Sequence, residues 1–304
     1  MKKLTSMILA GLLAAMMLTA CGEDAASSAT NDNTSSTSVS SEAVSSEATS
    51  STASTEPSED EKISGTVAIS GSTSMEKMAK ALAEGFMAKN SDVTVDVQLG
   101  GSSTGITNVT DGVSDIGNVS RDLKDTETGL VGNEVALDGI GMAIHPDNPV
   151  NDLTIEQIAD IYTGKITNWS EVGGEDMEIY VVGREAGSGT RDAFESITGV
   201  GESAVYASEQ TSTGAAKTTV ASTPGAIAYV SFDSIDDTVK TLAVDGVAIS
   251  TDTIRDGSYK LQRPFLMVTK EGAELSPAAQ AFLDYALSEE GQQICEQVGL
   301  VRVK

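Results

Sequence analysis

The chain has 304 residues, of which 45 are Asp or Glu and 19 are Lys or Arg, a formal net charge of −26. Such a balance argues against nucleic acid and anionic lipid surfaces as partners, and 2 cysteines with 1 histidine leave no material for a disulfide framework or a His/Cys metal cluster. It also opposes an anionic ligand at long range, so an anion would have to be held by local donors in a dry cleft.

At the N-terminus Lys2 and Lys3 precede an apolar run over residues 7–18, then "LTAC" ending at Cys21. The run is shorter than the roughly 20 residues a bilayer needs, so residues 1–20 read as a secretion signal, not a membrane span. The "LTAC" ending resembles a bacterial lipobox. That implies cleavage before Cys21, acylation of its thiol, and a mature protein on the extracytoplasmic face of the cell membrane, held by lipid.

Residues 21–62 are expected to form a disordered tether. From 23 to 62, 19 of 40 residues are Ser or Thr, and Val39 and Val44 are the larger apolar side chains. Too little apolar surface is present to offset the entropy of ordering. The typical span of such a tether is about 35 Å.

The remaining residues are ample for one large domain or two modest ones. Segments alternate between strand-like and helix-like, the pattern of an α/β protein. Residues 66–70, "TVAIS", lead through "GSTS" into a helical stretch with Met75, Met78, Leu82 and Phe86 on one face. Residues 93–99, "VTVDVQL", alternate like a strand and run through "GGSSTG" into another helical start. An apolar run over 136–146 ends at a proline. Thr154 and Gln157 stand at capping-box spacing ahead of Ile155, Ile158, Ile161 and Tyr162, with Gly164 as a stop. "EIYVV" runs into "GREAGSGTR" at 183–191, and "GAIAYVSF" and "RPFLMVTK" are later strands. A single closing helix is expected from Ser276 as its cap, with Pro277 at the first position and Cys295 in its core face.

Three times the chain runs strand, then glycine and hydroxyl residues, then helix: at 71–74, 100–105 and 187–190. A helix start offers unpaired N–H groups and a partial positive charge, and glycine lets backbone approach an anion closely. One such junction is ordinary N-capping. Three of them, one flanked by Arg184 and Arg191, point to a shared oxyanion site. Enzyme motifs fail on the same residues: "GREAGSGT" lacks the P-loop spacing and its lysine, and it is not a G-x-S-x-G elbow. His145, the lone histidine, reads as a surface or hinge residue. Scattered carboxylates leave calcium formally possible, but no metal site is expected.

Taken together, "GSTS", "GGSSTGI" followed by "DIGNVSR", "IYTGKITNWSEVGG", "GREAGSGTR" and "PGAIAYV" resemble the phosphate-binding lipoproteins of high-affinity phosphate ABC transporters, the PstS family. The match runs from about residue 65 to the C-terminus. It implies a two-lobed type II periplasmic-binding-protein fold, α/β in class, with the ligand cleft between the lobes. Residues 63–144 plus 233–304 are expected as lobe one and 145–232 as lobe two, with crossings near His145 and Phe232. Asn168 and Trp169 are expected to pack a helix-to-loop turn.

By motif, the resemblance places the ligand on Ser72, Thr73 and Ser74, on Ser102 and Ser103, on Ser120 and Arg121, and on Arg184, Ser188, Gly189 and Thr190. Arg191 is open between ligand contact, a solvated first-turn position and a partner for Asp192. The implied protein is a monomeric receptor without catalysis or cofactor. It would capture inorganic phosphate and deliver it to an ABC permease. A receptor for another oxyanion, or a phosphoester hydrolase using a cleft serine, stays open as an alternative. One position departs from the pattern: where family members best known for phosphate carry an aspartate that accepts the ligand's proton, this chain has Arg121. The acceptor would then be Asp122, Asp115, Glu185 or a backbone carbonyl.

Overall fold

The computed structural model describes residues 62–303, so the expected signal segment, Cys21 and all of the tether but Lys62 lie outside the described residues. In chain order the elements are β1 (Gly65–Ser72), α1 (Glu76–Lys89), β2 (Val93–Gly100), α2 (Ser102–Thr110), β3 (Ile116–Val119), β4 (Leu130–Ile144), β5 (Asp152–Leu153), α3 (Ile155–Tyr162), β6 (Tyr180–Arg184), α4 (Gly189–Thr198), β7 (Ser208–Gln210), α5 (Thr213–Ser222), β8 (Ala226–Ser231), β9 (Lys240–Thr241), β10 (Ala243–Val244), α6 (Thr251–Arg255), β11 (Gln262–Lys270), α7 (Pro277–Leu287) and α8 (Glu289–Gln297). This is the α/β class that the alternation implies.

The main sheet runs β2-β1-β3-β11-β4-β8-β6-β7, with β9 also on β4. Strands β1, β2 and β3 are mutually parallel, as are β8, β6 and β7, while β4 and β11 run antiparallel to their neighbours. Strand β4 serves both halves: residues 130–139 pair with β11 and residues 140–144 with β8. Because side chains alternate across a strand, each half buries two faces. In the first half Val67, Ile69, Phe265 and Met267 pack with Met78, Leu82 and Phe86 of α1 and with Phe282 of α7. Val119, Leu266 and Val268 turn to the other face, beneath Ile106 of α2. In the second half Ile140, Met142, Ile227 and Tyr229 meet Ile158 and Phe194, while Ala143, Ala226, Ala228 and Val230 face Ala216 and Val220 of α5.

Local capping follows the sequence closely at α3. Thr154 and Gln157 form the reciprocal capping box, and Gly164 takes φ 73° just past the end. The closing helix differs from expectation, breaking at Ser288, which caps both its halves. Here Ser288 Oγ accepts from the Gly291 amide at 3.2 Å. A Cβ on Gly291 would lie 2.1 Å from the Tyr285 carbonyl, so only glycine allows the two segments to fold this closely.

The expected lobe boundaries also shift. Val239, Leu242, Val244, Ile254, Tyr259 and Leu261 belong to the cores of the second half, so the apolar side chains of residues 239–261 pack there, although the Asp233 carbonyl still accepts from Lys77 of α1 at 3.0 Å. The physical reason is pairing: β9 finds its partner at Ala143 and Ile144 of β4, and β10 at β5. The chain therefore changes halves within β4 at residues 139–140 and again at the start of β11.

Asp138 and Arg263 face each other across those two strands. The carboxylate is 0% and the guanidinium 3% exposed, and Asp138 Oδ2 accepts from Arg263 Nε at 3.1 Å and Nη2 at 2.9 Å. The Phe232 amide donates to Asp138 Oδ1 at 3.2 Å. Asp233 lies beside this pair at the end of β8. Its Oδ1 accepts from Ser231 Oγ at 2.8 Å, whereas Oδ2 is buried without a partner. Burial, and then the charge of Asp138, push Asp233 from 3.8 up to about 7.

A folded value above the unfolded one means that the native state keeps a proton the unfolded chain has released. The resulting stability is full at low pH and is lost as pH rises through about 7. Asp233→Asn should raise Tm at pH 8 by several degrees, corresponding to about 1–2 kcal/mol, and should change it little near pH 4.5. Calorimetric unfolding across that range checks the sign.

Candidate functional site

The C-terminal ends of β1, β2, β3, β6 and β7 converge, and the helices that follow start there, where open α/β sheets place their ligands. Ser72, Thr73 and Ser74 form the turn into α1. Ser102 opens α2, Ser120 follows β3, and Ser188, Gly189 and Thr190 open α4. All eight are at most 9% exposed or otherwise buried. The hydroxyls of Ser72, Thr73, Ser74, Ser102, Ser120 and Thr190 join in one cluster. Ser72 Oγ donates to Ser120 Oγ at 2.8 Å, and Ser120 N donates to Ser102 Oγ at 3.0 Å. Ser74 Oγ lies 2.5 Å from Thr190 Oγ1, joining the first half to the second.

Glycine is demanded at 189. A Cβ there would stand 2.0 Å from Ser102 Oγ and 2.6 Å from Ser120 Oγ, so the first turn of α4 rests directly on the hydroxyls. Gly189 and Thr190 carry first-turn N–H groups, which have no carbonyl partner inside their own helix. Ser188 is the N-cap, its Oγ accepting from the Arg191 amide at 3.4 Å.

Arg184 supplies the charge. The residue is 1% exposed, and its guanidinium reaches across the cluster: Nη1 donates to Thr213 Oγ1 at 3.0 Å and Nη2 to Thr73 Oγ1 at 3.1 Å. On its other side Glu185 takes Nε at 3.0 Å and Nη2 at 2.8 Å, while the Gln210 carbonyl takes Nε at 3.1 Å. The Arg184 amide donates to Tyr229 Oη at 3.0 Å, Tyr229 Oη to Tyr206 Oη at 3.3 Å, and Tyr206 Oη to Glu195 at 2.8 Å. Burial pushes the Tyr229 phenol up to about 12, so this relay stays protonated. The arrangement offers an anion a fixed guanidinium, hydroxyls that rotate to donate or accept, and helix-start amides.

Residues 25–290 match the model of the PBP superfamily domain. The phosphate-binding protein PstS of Bacillus subtilis is 37% identical over 239 residues, covering 77% of this chain and 79% of that protein. The chain belongs to the PstS family. Among solved structures, a putative phosphate ABC transporter substrate-binding protein with bound phosphate from Clostridium perfringens is 48% identical, with TM-score 0.77, covering 79% of this chain and 100% of its own. An ABC-type phosphate transport receptor from Vibrio cholerae is 34% identical, with TM-score 0.66, covering 77% and 99% respectively.

Two residues expected in this PstS site stand outside the cluster. Arg121 turns away: Glu127 takes its Nη1 at 2.8 Å and Nη2 at 2.7 Å, and Asp192 takes its Nε at 2.8 Å. Two carboxylates outbid a cluster of neutral hydroxyls for a guanidinium, so Arg121 adds no charge to the site. Ser103 bonds through its amide to the Gly187 carbonyl at 3.1 Å and makes no side-chain bond to the cluster. Arg191 is resolved as a tie, donating to Glu195 at 2.7 Å, Glu209 at 2.6 Å and the Arg184 carbonyl at 2.8 Å. Of the carboxylates weighed as acceptors, Asp115 takes the Ala68 amide at 2.8 Å, Asp122 is exposed, and Glu185 is held by Arg184.

Thr213 is a contributor that the sequence reading missed. It opens α5, touches both Thr73 and Ser74, and receives Arg184. Its signal was present in "STG" at 212–214, which repeats the hydroxyl-then-glycine pattern of the other junctions.

Gly189→Ala decides how tightly this contact is fitted. Within a helix the change adds about 0.5–1 kcal/mol of stability, yet here the methyl would collide with two buried side chains. The expected result is a Tm within a few degrees of wild type together with a larger radius of gyration in small-angle scattering, because the halves no longer meet. An unchanged radius would show that α4 shifts to accommodate the methyl.

Proposed function

We propose that this protein is an extracytoplasmic receptor that captures inorganic phosphate between its two halves and delivers it to an ABC permease. The observation that carries the reading is the buried Arg184 guanidinium, aimed with Thr73 and Thr213 into a cluster of hydroxyls that helix starts surround. Ser72, Thr73, Ser74, Ser102, Ser120, Ser188, Gly189, Thr190 and Thr213 would supply the remaining donors. The phosphate-bound relative from Clostridium perfringens supports the choice of anion.

Phosphate near neutral pH keeps at least one proton and sulfate keeps none. Each hydroxyl of the cluster can accept as well as donate, so the ligand's proton can be taken without a free carboxylate. Glu185 offsets the charge of Arg184, which leaves the local site close to neutral and adds repulsion against a fully charged anion. The serine surroundings support a reading of binding over turnover. Ser72, Ser74, Ser102 and Ser120 bond to other hydroxyls and amides and not to a base, and His145 Nδ1 accepts from the Asp147 amide at 3.3 Å, outside the cluster.

Attachment through an acylated Cys21, after removal of residues 1–20, would keep the receptor at the membrane on a Ser/Thr-rich tether. Cys21→Ala is expected to move the protein to the soluble fraction with phosphate affinity unchanged. Persistence in the membrane fraction would refute the anchor.

Titration calorimetry tests the site itself. Arg184→Ala should weaken phosphate binding by roughly 30-fold to several thousand-fold, the range for removing one partner of a buried charge pair. Arg184→Lys should recover part of the loss, since lysine keeps the charge but not the fork. In competition, phosphate should exceed sulfate by at least about 10-fold, because the Glu185 carboxylate beside Arg184 repels an anion that cannot keep a proton. Equal displacement would make the protein a general oxyanion receptor.

A further inference from the structure

Arg121 directly follows Ser120, so its backbone is part of the site while its side chain leaves it. The side chain is 5% exposed and is fixed from its own half by three bonds: Nη1 and Nη2 on Glu127, and Nη1 on the Asp122 carbonyl at 2.8 Å. The plane so fixed points Nε at Asp192 Oδ2, 2.8 Å away on the first turn of α4. Lys124 Nζ joins the same oxygen at 2.7 Å. Asp192 belongs to the second half, beside Ala193 and Phe194 of its core. It stands one helical turn from Gly189 and Thr190, which rest on Ser102, Ser120 and Ser74.

One turn of α4 is therefore held twice to the first half: by neutral hydroxyl contacts inside the cleft and by an ion pair at its rim. We propose that Arg121 and Asp192 form a latch that sets how long the two halves stay together around a bound oxyanion, without touching that oxyanion. The proposal rests on the phosphate-receptor reading given above. Its physics is preorganisation. Glu127 already orders the guanidinium, so closing gains a charge-assisted bond without ordering a long side chain afresh. Asp192 is also favourably placed at a helix N-terminus when the halves are apart, so losing the latch does not leave a stranded charge. A contact made only after the halves meet slows release and leaves encounter untouched.

The test is Asp192→Asn, a partly exposed position whose change leaves the Arg121–Glu127 pair intact. Stopped-flow measurement with radiolabelled phosphate should give a release rate about 10-fold faster and an association rate within about two-fold of wild type. Arg121→Lys should fall between the two proteins. The phosphate-to-sulfate preference should be unchanged, because the latch does not contact ligand. Wild-type release rates in Asp192→Asn would overturn the latch, and so would a slower association or a shifted anion preference, either of which would place Asp192 in the binding machinery. Failure of wild type to bind phosphate would instead sink the receptor reading. In that case small-angle scattering reads the latch directly: Asp192→Asn should be more expanded than wild type, and identical profiles would overturn the proposal.

Discussion

A guanidinium cannot be taken out of water unless its N–H groups are nearly all matched, and Arg184 is 1% exposed. No single element supplies that many acceptors. Glu185 follows it in sequence, the Gln210 carbonyl comes from the neighbouring strand, Thr213 from the start of α5, and Thr73 from the other half of the molecule. The convergence of β1, β6, β7 and α5 is thus the condition under which this arginine can be buried at all. Gly183 serves the same end. A Cβ there would lie 2.3 Å from the Tyr206 ring, so glycine leaves room for that ring, whose phenol accepts from Tyr229 Oη at 3.3 Å.

The strongly acidic surface and an anion site coexist because the two operate over different distances. Exposed charges are screened within about 8–10 Å at moderate salt. Inside the cleft the interactions are hydrogen bonds and helix-start dipoles in a dry setting, where they are worth more than in water. The pairing of Arg184 with Glu185 carries the logic further, because it offsets the guanidinium's net charge while leaving its N–H groups on Thr73 and Thr213 directed into the hydroxyl cluster. Binding of this kind discriminates by where protons sit.

How much of this was legible in sequence depends on how local each cause is. Helix α3 could be read from Thr154 and Gln157 because both halves of its capping box lie within four residues. The three strand-to-helix junctions were readable for the same reason. Thr213 escaped because β7 has only 3 residues, too few to display an alternation that would mark a junction after it. The return of residues 239–261 to the second core after Phe232 was not legible, because it is decided by β9 and β10, two-residue strands whose partners lie about a hundred residues upstream. Arg121 is the instructive case. Motif position put it in the site, but its side chain follows carboxylates 6 and 71 residues away, and nothing in its own neighbourhood announces the second.

The two aspartate pairs made by arginines of the first half have different mechanical standing. Arg263 and Asp138 lie on strands joined by backbone pairing along their length, so their bond persists however the halves are set. Arg121 and Asp192 join elements that share no strand pairing, so their bond exists only while α4 lies against the first half. Ser120 connects the two pairs: its carbonyl accepts from Arg263 Nη1 at 3.1 Å, its hydroxyl belongs to the cluster, and its successor carries the rim pair. A residue anchored to the crossing strands in this way cannot follow α4 when the helix moves. Any separation of the halves must therefore break the Ser74–Thr190 bond and the Arg121–Asp192 bond, and it leaves Ser72, Ser102 and Ser120 bonded to one another on the first half.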